Sequence, residues 1–211
     1  MKNIPAGKVY PNDLLSHNYF VFSDMMVRSI LSGKKTQKTA LLELSVIRIL
    51  DERYKEIIHS STLWPEGYWE LYQGAYLYIH NATNEAIFRY EGSVILPGTV
   101  CWVRERWGVS DIPWRRLIYQ ADTGKEFAGK PENGKWNAAK DMPKGIARIF
   151  LRIADNKILK LEDITEEIAQ REGFDSLDGF KAWWGNIPFG RTSPWEANPW
   201  VIITEFEKIN S

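Results

Sequence analysis

Apolar residues spaced three and four positions apart predict two helices in the first third of the chain. The first is short and lies within 24–32. Ser23 or Asp24 would cap its start, and Gly33 would end it. Residues 40–60 carry the longest run with this spacing, so this stretch is predicted to be a helix of about five turns.

Alternation of apolar and polar residues predicts strands further along the chain. Residues 75–80 and 85–90 alternate on either side of the turn sequence NATN, which predicts a β-hairpin. The aromatic segment 64–72 is predicted to be a loop. Further strands are predicted at 100–107, 117–121, 149–154 and 200–206.

The last third of the chain predicts a pair of helices and a closing strand. Asp163 or Thr165 would cap a helix that ends at Gly173, a second helix would span about 176–184, and 185–199 would be a loop. Because βαβ alternation is scarce, the predicted fold is α+β, a single domain over 1–211 with a small, mainly antiparallel β-barrel and flanking helices. Residues 40–92 are predicted to be an insertion or decoration of that domain.

Composition narrows the classes of function. The chain has 211 residues, and its Lys+Arg and Asp+Glu counts are both 27, so any anion site has to be local. Cys101 is the one cysteine and the three histidines are far apart, so neither a metal site nor a cofactor is predicted. The first residues lack an apolar run and no stretch would span a membrane, so the expected compartment is the cytoplasm. The oligomeric state is not indicated.

The basic turn after the first predicted helix is the main candidate for chemistry. Lys34, Lys35 and Lys38 fall within five residues, among threonine and glutamine. Such a turn binds anions or orients a ligand. It is also typical of a solvated helix end, where lysines lie beside the partially negative C-terminus. Spacing alone leaves both interpretations open.

Six short blocks follow one another in an order that resembles a known family. They are ILSGKKTQ at 30–37, WVRERW at 102–107, YQAD at 119–122, 136–148 with its Met-Pro and Ala-Arg pairs, LEDITEEIAQREG at 161–173 and WEANPWVIITEF at 195–206. In this order the blocks resemble the ASCH domain family of the PUA-like superfold, most closely the phage-encoded ASCH proteins called morphogenetic proteins. The resemblance covers about residues 20–39 and 94–209 and leaves 1–19 and 40–92 outside.

The resemblance implies a PUA-like barrel with a cleft beside the basic turn, in a phage or prophage protein that binds single-stranded RNA or a modified nucleoside. Lysines would contact phosphate or a base carbonyl, and Trp107 and Trp136 would stack on bases. Glu105 and Arg148 would fix base edges, or form a structural ion pair. The ligand-binding residues expected in this cleft are Lys34, Lys35, Lys38, Arg104, Glu105, Trp107, Trp136 and Arg148.

An enzymatic function is the first alternative. A small bacterial branch of the family resembles amidohydrolases acting on acetylated cytidine, with a lysine, a threonine three residues later and a glutamate from a later helix. These positions fall on Lys35, Lys38 and Glu172, so the nucleophilic hydroxyl is absent at the matching place, although Thr39 follows directly. An amidohydrolase or ribonuclease would then use Lys35 to stabilise charge, Thr39 as a displaced nucleophile and Glu172 as acid or base.

The second alternative is a structural or interaction protein of a phage. The chain contains 10 tryptophans, and such an excess suits a protein-binding surface as well as a core. An exposed aromatic patch away from the basic turn would favour this alternative.

Overall fold

The structure is a computed structural model that describes residues 18–58, 64–92, 94–111, 115–123 and 129–209. The chain forms two compact units. The first unit takes in the described parts of 1–28, 100–152 and 208–211, and the second takes in those of 29–99 and 153–207. All residues of the basic turn belong to the second unit.

Strands outnumber helices among the described residues. The strands are β1 (Tyr19–Val21), β2 (Gln37–Leu41), β3 (Ile47–Ile49), β4 (Gly67–Tyr72), β5 (Ala75–His80), β6 (Ala86–Tyr90), β7 (Val100–Arg104), β8 (Trp107–Val109), β9 (Leu117–Tyr119), β10 (Phe150–Lys160) and β11 (Trp200–Lys208). The α-helices are α1 (Asp24–Leu31), α2 (Glu166–Arg171), α3 (Leu177–Asn186) and α4 (Pro188–Thr192). The mixed α and β composition expected from the sequence is confirmed.

In the first unit, β7 pairs in parallel with β1 and antiparallel with the first residues of β10. Strands β8 and β9 form a separate antiparallel pair. Both faces of β7 are buried, since Cys101, Trp102 and Val103 are all inaccessible to solvent or nearly so. The single strand predicted over 100–107 is divided here, since β7 ends at the half-buried Arg104 and β8 begins at Trp107.

In the second unit, the later part of β10 neighbours β11, which pairs antiparallel with β2. A four-stranded antiparallel sheet in the order β3-β6-β5-β4 takes up most of 40–92. The strands that the structure describes do not close into a barrel in either unit, so the predicted barrel is not confirmed.

Several local predictions are confirmed. Helix α1 begins where Ser23 Oγ accepts a hydrogen bond from the Met26 N–H (3.4 Å). The hairpin predicted at 75–90 is β5 and β6. Helices α2 and α3 begin after Thr165 and Ser176, whose side-chain oxygens accept from backbone N–H groups of the first turn.

The helix predicted over 40–60 is wrong. Residues 59 and 60 lie outside the described residues, and 40–58 contain the end of β2, the strand β3 and two 3₁₀ turns, at Leu44–Val46 and Glu52–Ile57. Leu41 lies opposite Val201 and Ile47 lies opposite Tyr90. The backbone N–H and C=O groups of this stretch therefore pair with strands that are distant in the chain. Tertiary pairing overrides a local periodicity that fits a helix equally well.

Two predicted loops also contain regular structure. Within 64–72, β4 pairs with β5 along its whole length, as suits a segment rich in aromatic residues. Within 185–199, Pro188 begins α4 at a position where a missing N–H costs nothing. Gly190 packs so closely on α3 that a Cβ there would lie 1.8 Å from the Trp184 carbonyl oxygen, so this turn requires glycine.

Candidate functional site

The end of α2 holds Glu172 in a fixed position. Gly173 has a φ of +95°, and the Phe174 N–H donates to the Ala169 carbonyl (3.2 Å), which is the Schellman ending of a helix. A Cβ on Gly173 would come within 3.1 Å of the Ser29 side chain. The left-handed turn and the close packing together make Glu172 the C-cap residue and direct the chain away after it.

Lys35, Thr39 and Glu172 form one buried polar network. The Lys35 ammonium contacts Glu172 Oε2 and also donates to the Glu172 carbonyl oxygen (2.9 Å). Thr39 Oγ1 donates to Glu172 Oε1 (2.6 Å). All three residues are only 2% exposed. Each carboxylate oxygen therefore has its own donor, and the lysine supplies positive charge where the helix end is partially negative.

Lys38 lies on the other face of β2 from Thr39. Neighbouring strand residues alternate between faces, and Lys38 is opposite Thr204 in the register with β11. Burial lowers the pKa of Lys38, with Glu172 opposing this shift and Lys35 adding to it. The hydroxyl that reaches Glu172 thus belongs to Thr39, one residue after the position at which the family resemblance places a threonine.

A second set of charges joins α2 to the two strands beside it. Arg171 Nη2 pairs with Glu205 Oε2 (2.9 Å), and Lys157 Nζ pairs with Glu205 Oε1 (2.8 Å). Arg171 Nε also donates to Thr36 Oγ1 (3.3 Å). Hydrogen bonding from Arg171, more than that from Lys157, lowers the pKa of the Glu205 carboxyl, although partial burial opposes the shift.

Glu205 is expected to make stability depend on pH. Because its folded pKa is depressed, its contribution is present above the unfolded value of about 4.3 and is lost as pH falls through the folded pKa. Glu205→Gln should lower the free energy of unfolding by about 1 kcal/mol at pH 7, and this difference should shrink as the pH falls below the unfolded value of about 4.3. Urea denaturation from pH 3 to 7 measures it, with exposed Glu207→Gln as the control. A difference that persists unchanged at pH 3 would contradict the assignment.

An open groove of about 430 Å³ runs along the exposed side of α2 and is called the α2 groove here. Its two edges come from the basic turn and from the residues around Glu172. Lys34 Nζ pairs across it with Asp175 Oδ1 (2.5 Å). The residues that line it are Lys34, Glu167, Gln170, Arg171, Phe174 and Asp175.

In the first unit, the buried Glu105 forms an ion pair with the half-buried Arg148. Arg148 Nε and Nη2 each donate to a Glu105 oxygen (2.8 Å), and Nη1 donates to Asp122 (2.5 Å). The guanidinium also lies 3.9 Å from the ring centroid of Tyr119. Burial raises the pKa of Glu105, which is 0% exposed, and Arg148 opposes the shift. With both partners engaged in this way, the structural interpretation fits them better than base recognition.

The remaining predicted ligand residues also belong to the first unit. The Arg104 guanidinium lies 3.7 Å from the Tyr19 ring centroid and donates to the Lys140 carbonyl (2.7 Å). Trp107 and Trp136 are half-buried, and Trp136 lies over Gly108. The partners described for Arg104, Trp136 and Arg148 thus all lie in the first unit, and those described for Lys35 and Glu172 all lie in the second.

Sequence reasoning missed five residues of the α2 groove, namely Glu167, Gln170, Arg171, Phe174 and Asp175. They lie within five positions of Glu172 in the chain. The family resemblance, which matches Glu172, therefore also indicated this segment as part of a site. The aromatic ring among polar neighbours directly after a predicted helix stop was the clearest such signal.

Comparison with known proteins gives little beyond this geometry. No family model matches the chain, and no curated protein is significantly similar to it in sequence. Among solved structures, it is similar to protein EF3133 from Enterococcus faecalis V583, described as DUF984, with 11% sequence identity and a TM-score of 0.38. The match covers 87% of this chain and 66% of that one, just under two thirds. None of the described helices combines the length and the apolar content that crossing a membrane requires.

Proposed function

We propose that the chain binds a nucleoside, free or within single-stranded RNA, in the α2 groove. The observation that carries this proposal is the buried contact between Lys35 and Glu172. It ties the basic turn to the end of α2, and the neighbours of both residues line the groove. A ligand entering there meets edges that are already fixed, which reduces the conformational entropy lost on binding.

The groove offers the contacts that a nucleoside needs. The Phe174 ring is held by Phe180 and Trp183, at centroid distances of 5.6 and 5.4 Å, and gives a base a flat surface on which to stack. Gln170 presents an amide that both donates and accepts. The charges that line the groove cancel, because there are two cations, Lys34 and Arg171, and two carboxylates, Glu167 and Asp175. Such a groove favours one nucleoside over a long phosphate backbone.

The resemblance to ASCH proteins supports the same class of ligand. It places the basic turn beside the cleft of a PUA-like barrel, and it implies a phage or prophage protein. Lys35 and Glu172, the two family positions matched in this chain, are the ones that contact each other.

The test is the affinity of the chain for cytidine and N4-acetylcytidine, measured calorimetrically. Phe174→Leu should weaken binding about tenfold because the stacking surface is lost. Lys34→Ala should weaken it about fivefold, since a charged hydrogen-bond donor is removed. Lys208→Ala, at an exposed lysine outside the groove, should change nothing. Absent binding, or equal affinities for all four proteins, would overturn the proposal.

Amide hydrolysis is a second candidate, favoured by the hydrogen bond of 2.6 Å between Thr39 and Glu172. A hydroxyl held by one carboxylate oxygen, with an ammonium on the other oxygen, is the arrangement of an activated nucleophile. Thr39 Oγ1 would attack an amide carbonyl carbon and pass its proton to Glu172. The C–N bond would break as the amine takes that proton, and water would then hydrolyse the ester on Thr39.

Binding ranks first because substrate can reach Thr39 only if the network opens, since its members are 2% exposed. Hydrolysis predicts that N4-acetylcytidine yields cytidine and acetate. Thr39→Val should reduce the rate at least about a hundredfold, whereas Thr39→Ser should retain most of it. A wild-type rate no higher than that of Thr39→Val would exclude this candidate and leave the binding proposal intact.

A further inference from the structure

The second unit contains another groove that the basic turn does not reach. It has a volume of about 450 Å³, within the range of small-molecule sites. Among the residues that line it are three aromatic rings, a lysine, a glutamate and an asparagine, and we call it the aromatic groove. These six residues are Trp64, Tyr78, Trp200, Lys160, Glu66 and Asn81. Glu66 is exposed, so solvent screens its carboxylate.

The three rings form a rigid wall. Trp64 lies 5.0 Å from Tyr78 and 5.5 Å from Trp200 between ring centroids, and Tyr78 lies 5.6 Å from Trp200. The Tyr78 hydroxyl is already used, since it donates to the Pro65 carbonyl (2.7 Å). Trp64 is half-buried, whereas Tyr78 and Trp200 are buried. The wall therefore presents the surface of Trp64 to a ligand, with the other two rings holding it in place.

One donor of this wall has no partner among the residues that the structure describes. Trp200 is only 7% exposed, and its Nε1 makes no hydrogen bond within the part of the chain that the structure describes. A buried indole N–H usually finds an acceptor. Because the Nε1 atom itself has almost no accessible surface, a ligand oxygen reaches it only if the Trp200 ring shifts.

Lys160 brings positive charge to the same place. Its ammonium lies 4.3 Å from the Trp200 ring centroid. Burial lowers its pKa to about 8, although Asp163 and Glu162 oppose the shift, so the side chain is mostly charged at neutral pH. A partly desolvated ammonium gains more from a bound anion than a fully hydrated one does.

We propose that the aromatic groove binds a flat aromatic anion, with its ring against Trp64 and its carboxylate or phosphate on Lys160. The aromatic wall selects a planar ring, and the lysine selects negative charge on it. The exposed Asn81 at the rim adds a polar contact. This site is independent of the α2 groove, since the two share no residue.

The test compares acids with neutral analogues of the same shape. Indole-3-acetate should bind at pH 7 about tenfold more tightly than indole-3-acetamide, as one charge-assisted hydrogen bond predicts. Adenosine 5′-monophosphate against adenosine is the second arm, and it distinguishes phosphate from carboxylate. A preference for the anion in either arm supports the site, and equal affinities in both arms overturn it.

Variants assign the preference to Lys160. Lys160→Met keeps the aliphatic stem and should abolish the preference for the anion, whereas Lys160→Arg should retain it. Lys181→Met is the matched control, because Lys181 also lies over a tryptophan, 4.9 Å from the Trp195 ring centroid, but outside the groove. If Lys160→Met keeps the preference, or if Lys181→Met loses it equally, the proposal is overturned.

Discussion

Replacing Glu172 by alanine is expected to lower the free energy of unfolding by about 3–5 kcal/mol. The substitution leaves the Lys35 ammonium buried without its carboxylate and removes the acceptor of the Thr39 hydroxyl. The desolvation penalty of that ammonium is then no longer offset, and this penalty is the reason for the large effect. Urea denaturation measures the change.

Two further variants separate pairing from mere truncation. Asp175→Ala breaks an ion pair of the same kind at a carboxylate that is 97% exposed, and should cost less than about 1 kcal/mol. The double variant Lys35→Met, Glu172→Leu removes both charges and should be more stable than Glu172→Ala alone. If Glu172→Ala and Asp175→Ala destabilise equally, the buried pair does not hold the basic turn to α2.

Replacing Arg148 by alanine should destabilise the chain by about 3 kcal/mol, at the lower end of the range for breaking a buried ion pair. Glu105, which is fully buried, would lose both of its hydrogen bonds from the guanidinium, and Asp122 would lose its hydrogen bond from the same group. The effect stays at the lower end because the Arg148 side chain is itself 26% exposed, so water partly replaces it. Thermal or urea denaturation gives the value.

Arg148→Lys should recover only part of this loss, since an ammonium cannot form the paired hydrogen bonds of a guanidinium. The control is Arg115→Ala, which breaks the exposed pair with Glu132 and should cost less than about 1 kcal/mol. A stable Arg148→Ala with weakened nucleoside binding would instead assign Glu105 and Arg148 to ligand recognition, as the family resemblance first suggested.

Features of the fold that depend on neighbouring residues could be predicted from the sequence. The glycine stop after α1, the Thr165 cap of α2 and the turn of the β5–β6 hairpin each depend on a few adjacent positions. The stretch 40–60 could not be predicted in this way. Its backbone partners lie on β11 and β6, and no local pattern encodes pairing with strands so distant in the chain.

The candidate site also depends on residues that are distant in the chain, so the sequence predicted only part of it. Lys35 and Glu172 are 137 residues apart, and only the family resemblance related them before the structure placed them in contact. The resemblance pointed to Lys38 for the hydroxyl position, whereas the alternation of β2 turns Thr39 towards Glu172. A shift of one residue exchanges the faces of a strand, so a motif position alone does not identify the side chain that reaches a site.

Nucleoside binding in the α2 groove is tested most directly by titrating the ¹⁵N-labelled chain with cytidine and following its amide resonances. Binding there should shift the amides of Lys34 and of residues 170–175, and the shifts should saturate together. The aromatic groove serves as an internal reference, because its Lys160 and Trp200 lie outside the lining of the α2 groove. Absence of shifts at 34 and 170–175, or shifts confined to Lys160 and Trp200, would contradict the proposed function.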